Sequence, residues 1–131
     1  MTDKSSFQIL ASAARTATPT IAVITSATLT VSTKAMTDLQ VIIDVTATAA
    51  TPSVQPALQA QDPVSSKWYD LVASIAAITA TGTTVLSFGE NTPVVANLSN
   101  QGFIPDNIRL TLTHDDADSI TYSVGLNYST K

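Results

Sequence analysis

Residues 108–128 read IRLTLTHDDADSITYSVGLNY, and this stretch decides the fold class. Apolar and polar residues alternate through 108–113 and again through 120–128, on either side of the acidic sequence 115–118. A period of two is typical of strands that bury one face. The stretch therefore predicts a half-buried antiparallel hairpin. Its predicted inward positions are Ile108, Leu110, Leu112, Ile120, Tyr122, Val124, Leu126 and Tyr128.

Further short strands are indicated upstream, separated by turns rich in Gly, Pro, Asn and Asp. Alternation is clearest at 39–46, and Pro56 in the strand predicted at 54–61 suggests an edge or a bulge. Strands are also expected at 28–33, 67–73 and 83–88, with a further apolar stretch at 75–80. About eight short strands indicate a two-layer sandwich or a barrel. We predict an all-β protein whose antiparallel, jelly-roll-like β-sandwich domain covers residues 28–131.

Residues 1–27 differ from the rest because they lack sustained alternation and are rich in Ala, Thr and Ser. Two interpretations stay open. The segment is either an extended N-terminal arm that orders on a partner, or a first edge strand with a frayed end. On the arm interpretation, the partner-binding residues are predicted to be Phe7, Ile9, Leu10 and Arg15, and deletion of residues 2–18 is expected to leave a folded domain.

Length and composition exclude several classes of protein. The chain has 131 residues, which predicts one domain, and it contains no cysteine, which excludes disulfides and thiolate chemistry. Charged residues make up only 12% of the chain, and neutral polar residues replace them. Such a surface favours contact with other protein. The net charge of −4 and the six scattered Lys and Arg argue against nucleic acid, and no apolar run is long enough for a membrane span.

The only cluster that resembles a site is His114 with Asp115, Asp116 and Asp118. Three carboxylates in one turn could hold Ca²⁺, but the spacing of a known calcium loop is missing, and Asp also favours turns through its own backbone hydrogen bonds. His114 could serve as a general base, although no nucleophile motif surrounds it. A structural role is the favoured interpretation for both, so no metal site and no cofactor is predicted.

Two other residue pairs have side chains that could carry chemistry. Asp44 and Asp70 could form the carboxylate pair of a glycosidase, but the sequence does not bring them together. Trp68 and Tyr69 are adjacent, so on a strand they face opposite ways. One is expected in the core and the other against solvent or a partner, where it could stack on a sugar ring. No catalytic residue is predicted, and the protein is expected not to be an enzyme.

Four segments carry a resemblance to a known group of proteins. They are Ala13-Ala14-Arg15-Thr16-Ala17-Thr18, the strand sequence VIIDVTA at 41–47, ASIAAITATGT at 73–83 and LTHDDADSITYSVG at 112–125. In this order they resemble small proteins encoded by tailed bacteriophages and prophages. The resemblance covers most of the chain, and its motifs are structural.

The resemblance implies a virion structural protein, most similar to head decoration or cement proteins. These bind the outside of the capsid, commonly as homotrimers, and reinforce it. The implied partners are the major capsid protein and copies of the chain itself, and the implied location is the capsid surface after synthesis in the host cytoplasm. A tail or baseplate component, or a carbohydrate- or receptor-binding module, is the alternative.

Overall fold

The computed structural model describes residues 3–16, 19–24, 36–72 and 75–130. Nine β-strands and no helix lie in these residues. No helix in the described part could therefore span a membrane. The strands are β1 (Asp3–Arg15), β2 (Thr20–Ile24), β3 (Met36–Thr48), β4 (Val54–Gln61), β5 (Trp68–Asp70), β6 (Gly82–Gly89), β7 (Ser99–Gln101), β8 (Ile108–His114) and β9 (Ile120–Thr130).

The strands form two sheets. Sheet A has the order β1-β9-β3-β6-β7, and sheet B has the order β2-β8-β4-β5. All neighbours are antiparallel except β6 and β7. Without the short β7, four strands face four strands and the chain passes between the sheets in the order of a jelly roll, two interlocked Greek keys. The predicted all-β sandwich of jelly-roll type is confirmed.

The core lies between the inward faces of the two sheets. Each predicted inward position of 108–128 is buried, and so are Leu39, Val41, Ile43 and Val45 in β3. Val54, Leu58 and Ala60 in β4 complete the facing layer. Alternation in the sequence therefore identified the buried faces correctly, because successive side chains of a strand point to opposite sides of its sheet.

The predicted hairpin over 108–128 is wrong in its pairing. β8 belongs to sheet B, between β2 and β4, whereas β9 belongs to sheet A, between β1 and β3. The connection 115–119 crosses from one sheet to the other. Both strands keep their alternation because each turns one face to the shared core, from opposite sides.

The N-terminal segment follows the edge-strand interpretation. β1 pairs with β9 from Asp3 to Arg15, and β2 pairs with β8, so the segment supplies one edge of each sheet. Phe7, Ile9 and Leu10 are partly buried and pack against the core. Deletion of residues 2–18 is therefore expected to destabilise the fold, contrary to the expectation from the sequence.

Other predictions along the chain have mixed outcomes. The strands at 39–46, 54–61 and 83–88 are confirmed. The β4–β5 ladder covers only Gln59–Gln61, so the described ladders pair Pro56 with β8 alone. The strand predicted at 67–73 has only three residues, and β7 was not predicted. The strand predicted at 28–33 lies outside the described residues.

Candidate binding surfaces

His114 belongs to a buried polar cluster that joins the two sheets. Its Nε2 atom lies 3.1 Å from the hydroxyl of Tyr122, which donates a hydrogen bond of 3.0 Å to Oγ1 of Thr20. The guanidinium of Arg15 lies 4.5 Å from the centre of the Tyr122 ring and donates to the backbone carbonyl of Tyr122. Two strands of each sheet thus contribute one residue each. The polar groups satisfy one another, which indicates the structural role predicted for His114.

The cluster predicts a loss of stability on mild acidification. Burial lowers the pKa of His114 below 6.5, and the positive charge of Arg15 lowers it further, against a smaller opposing effect of Asp116. The unfolded chain therefore binds a proton more readily than the folded one. The stabilising contribution of neutral His114 is fully present above pH 6.5 and is lost as the pH falls through the lowered pKa. Urea unfolding at pH 7.5 and pH 5 should show this fall in the wild type.

His114→Gln is the matched control, because it keeps a hydrogen-bonding group that does not titrate. Its stability should change less between the two pH values. Asp38 and Asp62 do not interfere, since their lowered pKa values place their loss of stability below the ordinary value of 3.8. If the stability of the wild type and of His114→Gln depended equally on pH, burial in the cluster would not lower the pKa of His114.

The acidic turn is bound to the neighbouring loop at 49–53, which also crosses between the sheets. Asp118 accepts hydrogen bonds from the backbone N–H and the hydroxyl of Thr51, at 3.1 and 3.3 Å. Asp115 accepts one from the Ser53 hydroxyl, and Asp116 accepts one from the backbone of Asp118. Each carboxylate therefore has a partner within the fold. Nowhere in the described ranges do three or more His, Asp or Glu side chains form a group that could hold a metal ion.

The structure does not bring Asp44 and Asp70 together. Asp44 lies on the outer face of sheet A, where it accepts a hydrogen bond from Thr83, and Asp70 lies on the outer face of sheet B, bonded to Gln59. The two carboxylates are on opposite outer faces of the sandwich. The paired-carboxylate arrangement considered from the sequence is therefore absent for this pair.

Trp68 and Tyr69 face opposite ways, as predicted, but neither belongs to the core. Trp68 lies on the outer face of sheet B, with the Arg109 guanidinium 4.2 Å from its ring centre. Arg109 is held in place by Gln59 through a 2.9 Å hydrogen bond. Tyr69 is 46% exposed. The expectation of one aromatic in the core fails because β5 is a three-residue edge strand, whose side chains the opposite sheet does not cover.

Tyr69 lines a depression of about 540 Å³ together with Phe103, which is 74% exposed. The other residues that line this depression are Met36, Gln61, Pro63, Glu90, Ile104, Pro105, Asp106 and Asn107. Phe103 also ends a segment, 94–103, that exposes four large apolar side chains: Val94, Val95, Leu98 and Phe103. We call 94–103 the exposed apolar segment. Exposed apolar side chains that lie close together often mark an interaction site, so this segment, with Tyr69 lining the same depression as Phe103, is a candidate contact region.

A second, polar groove of about 700 Å³ lies on the outer face of sheet A. One row of neutral side chains crosses it through the strand register, from Ser6 to Asn127, Gln40 and Ser87. The loop at 91–93 forms one rim and is held by Asp38, which accepts hydrogen bonds from Asn91 and Thr92. No ionisable pair lies in this row, so it is a hydrogen-bonding surface.

The predicted partner-binding residues all lie in β1. Phe7, Ile9 and Leu10 are partly buried against the core, and Arg15 donates hydrogen bonds to the carbonyls of Ala11, Ala13 and Tyr122. Their packing inside the molecule is established, and their contact with a partner stays a prediction.

No family model, no curated protein and no solved structure matches this chain. The sequence pattern does not predict a role for Phe103 and the segment around it, although it carries one signal. Phe103 stands between Gly102 and Pro105 in a loop-rich stretch, where a large aromatic side chain has no strand to bury it.

Proposed function

We propose that this protein is a non-enzymatic virion structural protein, a decoration or cement protein that binds and stabilises a bacteriophage head. It binds the major capsid protein and copies of itself, with a homotrimer as the proposed assembly, on the capsid surface. The resemblance of four segments to small phage proteins suggests the setting. A jelly roll is also a common architecture of viral capsid domains, although the fold alone does not assign a function.

The exposed apolar segment is the observation that carries the proposal. Of the nine large apolar side chains exposed among the described residues, four belong to 94–103, and Tyr69 meets Phe103 in one depression. Exposed aromatic residues surrounded by polar ones are typical of the centre of a protein interface. Since charged residues make up only 12% of the chain, the surrounding surface can be buried at a low desolvation cost.

Phe103→Ser tests the proposal by its effect on binding to heads assembled without this protein. An aromatic residue at the centre of an interface contributes at least about 2 kcal/mol, so the affinity should fall roughly 30-fold. Ile21→Ser is the matched control, because Ile21 is an exposed apolar residue on β2, the edge of the other sheet. Sedimentation of the protein with the heads measures the binding, and urea unfolding confirms that both variants are folded.

Two results would count against the proposal. Wild-type protein that does not sediment with heads would contradict the capsid role, and unchanged binding of Phe103→Ser would remove the exposed apolar segment from the interface. Labelling of virions with an antibody against the protein separates a head location from a tail or baseplate location.

A carbohydrate- or receptor-binding module is the second candidate, and one observation favours it. Tyr69 and Phe103 present two exposed aromatic rings beside the amides of Gln61 and Asn107, and sugar rings bind to such combinations of stacking and hydrogen-bonding groups. Binding of the wild type to a glycan array, lost in Tyr69→Ala and accompanied by no affinity for heads, would favour this function over the capsid role.

A further inference from the structure

The outer edge of β1 is the longest strand edge of the described sandwich. β1 has 13 residues, whereas the other three edge strands, β2, β5 and β7, have 5, 3 and 3. β9 is its ladder partner on one side. Along residues 5–15, the hydrogen bonds that the structure describes for the backbone come from β9 or from the side chain of Arg15. Such an edge is a template for another strand.

The second half of this edge is protected. The register with β9 shifts between Gln8 and Leu10 and again between Leu10 and Ala13, and such bulges twist an edge away from regular pairing. Arg15 then donates to the carbonyls of Ala11 and Ala13, at 2.8 and 3.1 Å. A strand that approached residues 9–15 would meet a distorted backbone in which the carbonyls of Ala11 and Ala13 already accept hydrogen bonds.

The first half has none of these protections. From Asp3 to Gln8 the register with β9 runs without a shift. Its charged residues, Asp3 and Lys4, stand at its start, whereas Ser5, Ser6, Phe7 and Gln8 carry no charge, and the stretch contains no proline. Proteins usually blunt an exposed edge with a charge, a proline or a bulge, and residues 5–8 have none of these, so this regular edge beside a protected one indicates a surface suited to strand pairing.

We propose that this half-edge pairs antiparallel with the same half-edge of a second copy of the chain, so that two copies of sheet A join into one continuous sheet. A second copy is the occupant that the residues favour, because an antiparallel edge is complementary to itself through a two-fold axis. The neutral residues 5–8 set no like charges opposite one another, which would otherwise oppose self-pairing.

The geometry restricts the register of this pair. Residues directly opposite in an antiparallel pair lie on the same face of the sheet. The two-fold axis therefore has to lie midway between two copies of the same residue, so that one residue stands opposite its own counterpart. Ser6, on the outer face beside Asn127, and Phe7, beside Leu126, are the central candidates. A pair centred on Ser6 places Lys4 opposite Gln8, and neither arrangement brings two acidic or two basic residues together.

This pairing goes beyond the capsid proposal and does not depend on it. It would join two copies through β1, whereas the exposed apolar segment contains β7, at the opposite edge of sheet A. A protein that is otherwise monomeric would become a dimer, and a trimer would be linked to a second trimer. Failure of head binding and failure of β1 pairing are therefore separate results.

Single-cysteine variants test the pairing directly, because the natural chain has no cysteine. Ser5→Cys, Ser6→Cys and Phe7→Cys are oxidised mildly, with Ser123→Cys on the outer face of β9 as the control. Opposite residues of an antiparallel pair have Cα atoms about 4.5–5.5 Å apart, within the range that a disulfide spans. One of the three edge variants should form a covalent dimer rapidly, whereas Ser123→Cys should stay largely uncrosslinked.

Proline substitution supplies a test that needs no oxidation. Neighbouring residues of a strand point their N–H groups to opposite sides, so one of Ser5→Pro and Ser6→Pro blocks the ladder with β9 and the other blocks only the outer edge. The variant that keeps the wild-type unfolding transition should associate at least about ten-fold more weakly, because a central ladder bond is lost and the proline ring obstructs its neighbours. Ser5→Ala and Ser6→Ala are the matched controls.

Light scattering during size-exclusion chromatography gives the masses. The proposal expects the wild-type mass to be twice that of the folded proline variant. A mass that stays the same in the wild type and in both proline variants would overturn it, as would equal crosslinking at residue 123 and at the edge. Association that proline abolishes, with no disulfide-linked dimer in any edge variant, would also overturn it, because β1 would then bind a different edge or another protein.

Discussion

Shortening Leu112 to alanine should lower the free energy of unfolding by about 2–5 kcal/mol. Leu112 is 1% exposed and lies in β8, a central strand of sheet B, opposite Thr20 of β2 on one side and Pro56 of β4 on the other. Because strands flank it on both sides and sheet A covers its inward face, the surrounding structure cannot collapse into the space that the missing atoms leave. Urea unfolding of the wild type and the variant measures the difference.

Thr113→Ala is the control on the same strand, because Thr113 points outward and is exposed. It should change the stability by less than about 0.5 kcal/mol. Val124→Ala extends the test to the facing sheet, since Val124 is equally buried from the side of β9. A loss at Leu112 no larger than that at Thr113 would mean that the inward face of β8 has been assigned wrongly.

The alternating residues of 108–128 could predict burial but not strand pairing. A period of two reports which side chains face the core, and this information is the same for two strands of one sheet and for two strands of facing sheets. The length of the connection 115–119 does not distinguish a hairpin within one sheet from a crossing between two sheets either. Five residues reach roughly 17 Å at most, which is enough to cross the distance of about 10 Å between packed sheets. The sheet assignment depends on β2, β4, β1 and β3, which flank the two strands and are distant in the chain.

The sequence pattern did not identify β1 as a strand, for a different reason. Bulges between Gln8 and Leu10 and between Leu10 and Ala13 each change the side on which the following residues point, so β1 has no sustained alternation to detect. The three-residue strand β7 is too short to show a period at all. In both cases the strand forms through tertiary pairing, and no local sequence pattern indicates it.

The candidate surfaces were predictable only in part. A charge-poor composition correctly indicated that neutral polar side chains lie on the outer faces, such as the row of Ser6, Asn127, Gln40 and Ser87. The opposite orientation of Trp68 and Tyr69 also followed from strand geometry. The depression that Tyr69 and Phe103 both line did not, because the two residues come from β5 and from the loop after β7, which are distant in the chain.

Deletion of residues 2–15 is expected to destabilise the domain severely. β1 covers the edge of β9, and its side chains Phe7, Ile9 and Leu10 pack against the core. Full burial of such a side chain contributes about 1.5–3 kcal/mol, so three partly buried ones contribute on the order of 2–4 kcal/mol together. The deletion also removes Arg15 from the ring of Tyr122 and leaves one edge of β9 unpaired. Part of the loss is offset because the residues of β1 no longer have to be ordered.

The expected result is a much lower urea midpoint, or no cooperative transition, because a domain of this size has only about 5–15 kcal/mol of stability in total. The triple variant Phe7→Ser, Ile9→Ser, Leu10→Ser separates the two causes, since it removes the apolar packing and keeps the backbone ladder with β9. If apolar packing dominates, the triple variant should be nearly as unstable as the deletion; if the ladder dominates, it should lie close to the wild type. A truncated protein that unfolds at the wild-type midpoint would instead show that residues 2–15 add nothing to the sandwich, and the interpretation of this segment as an arm that orders on a partner would then be the correct one.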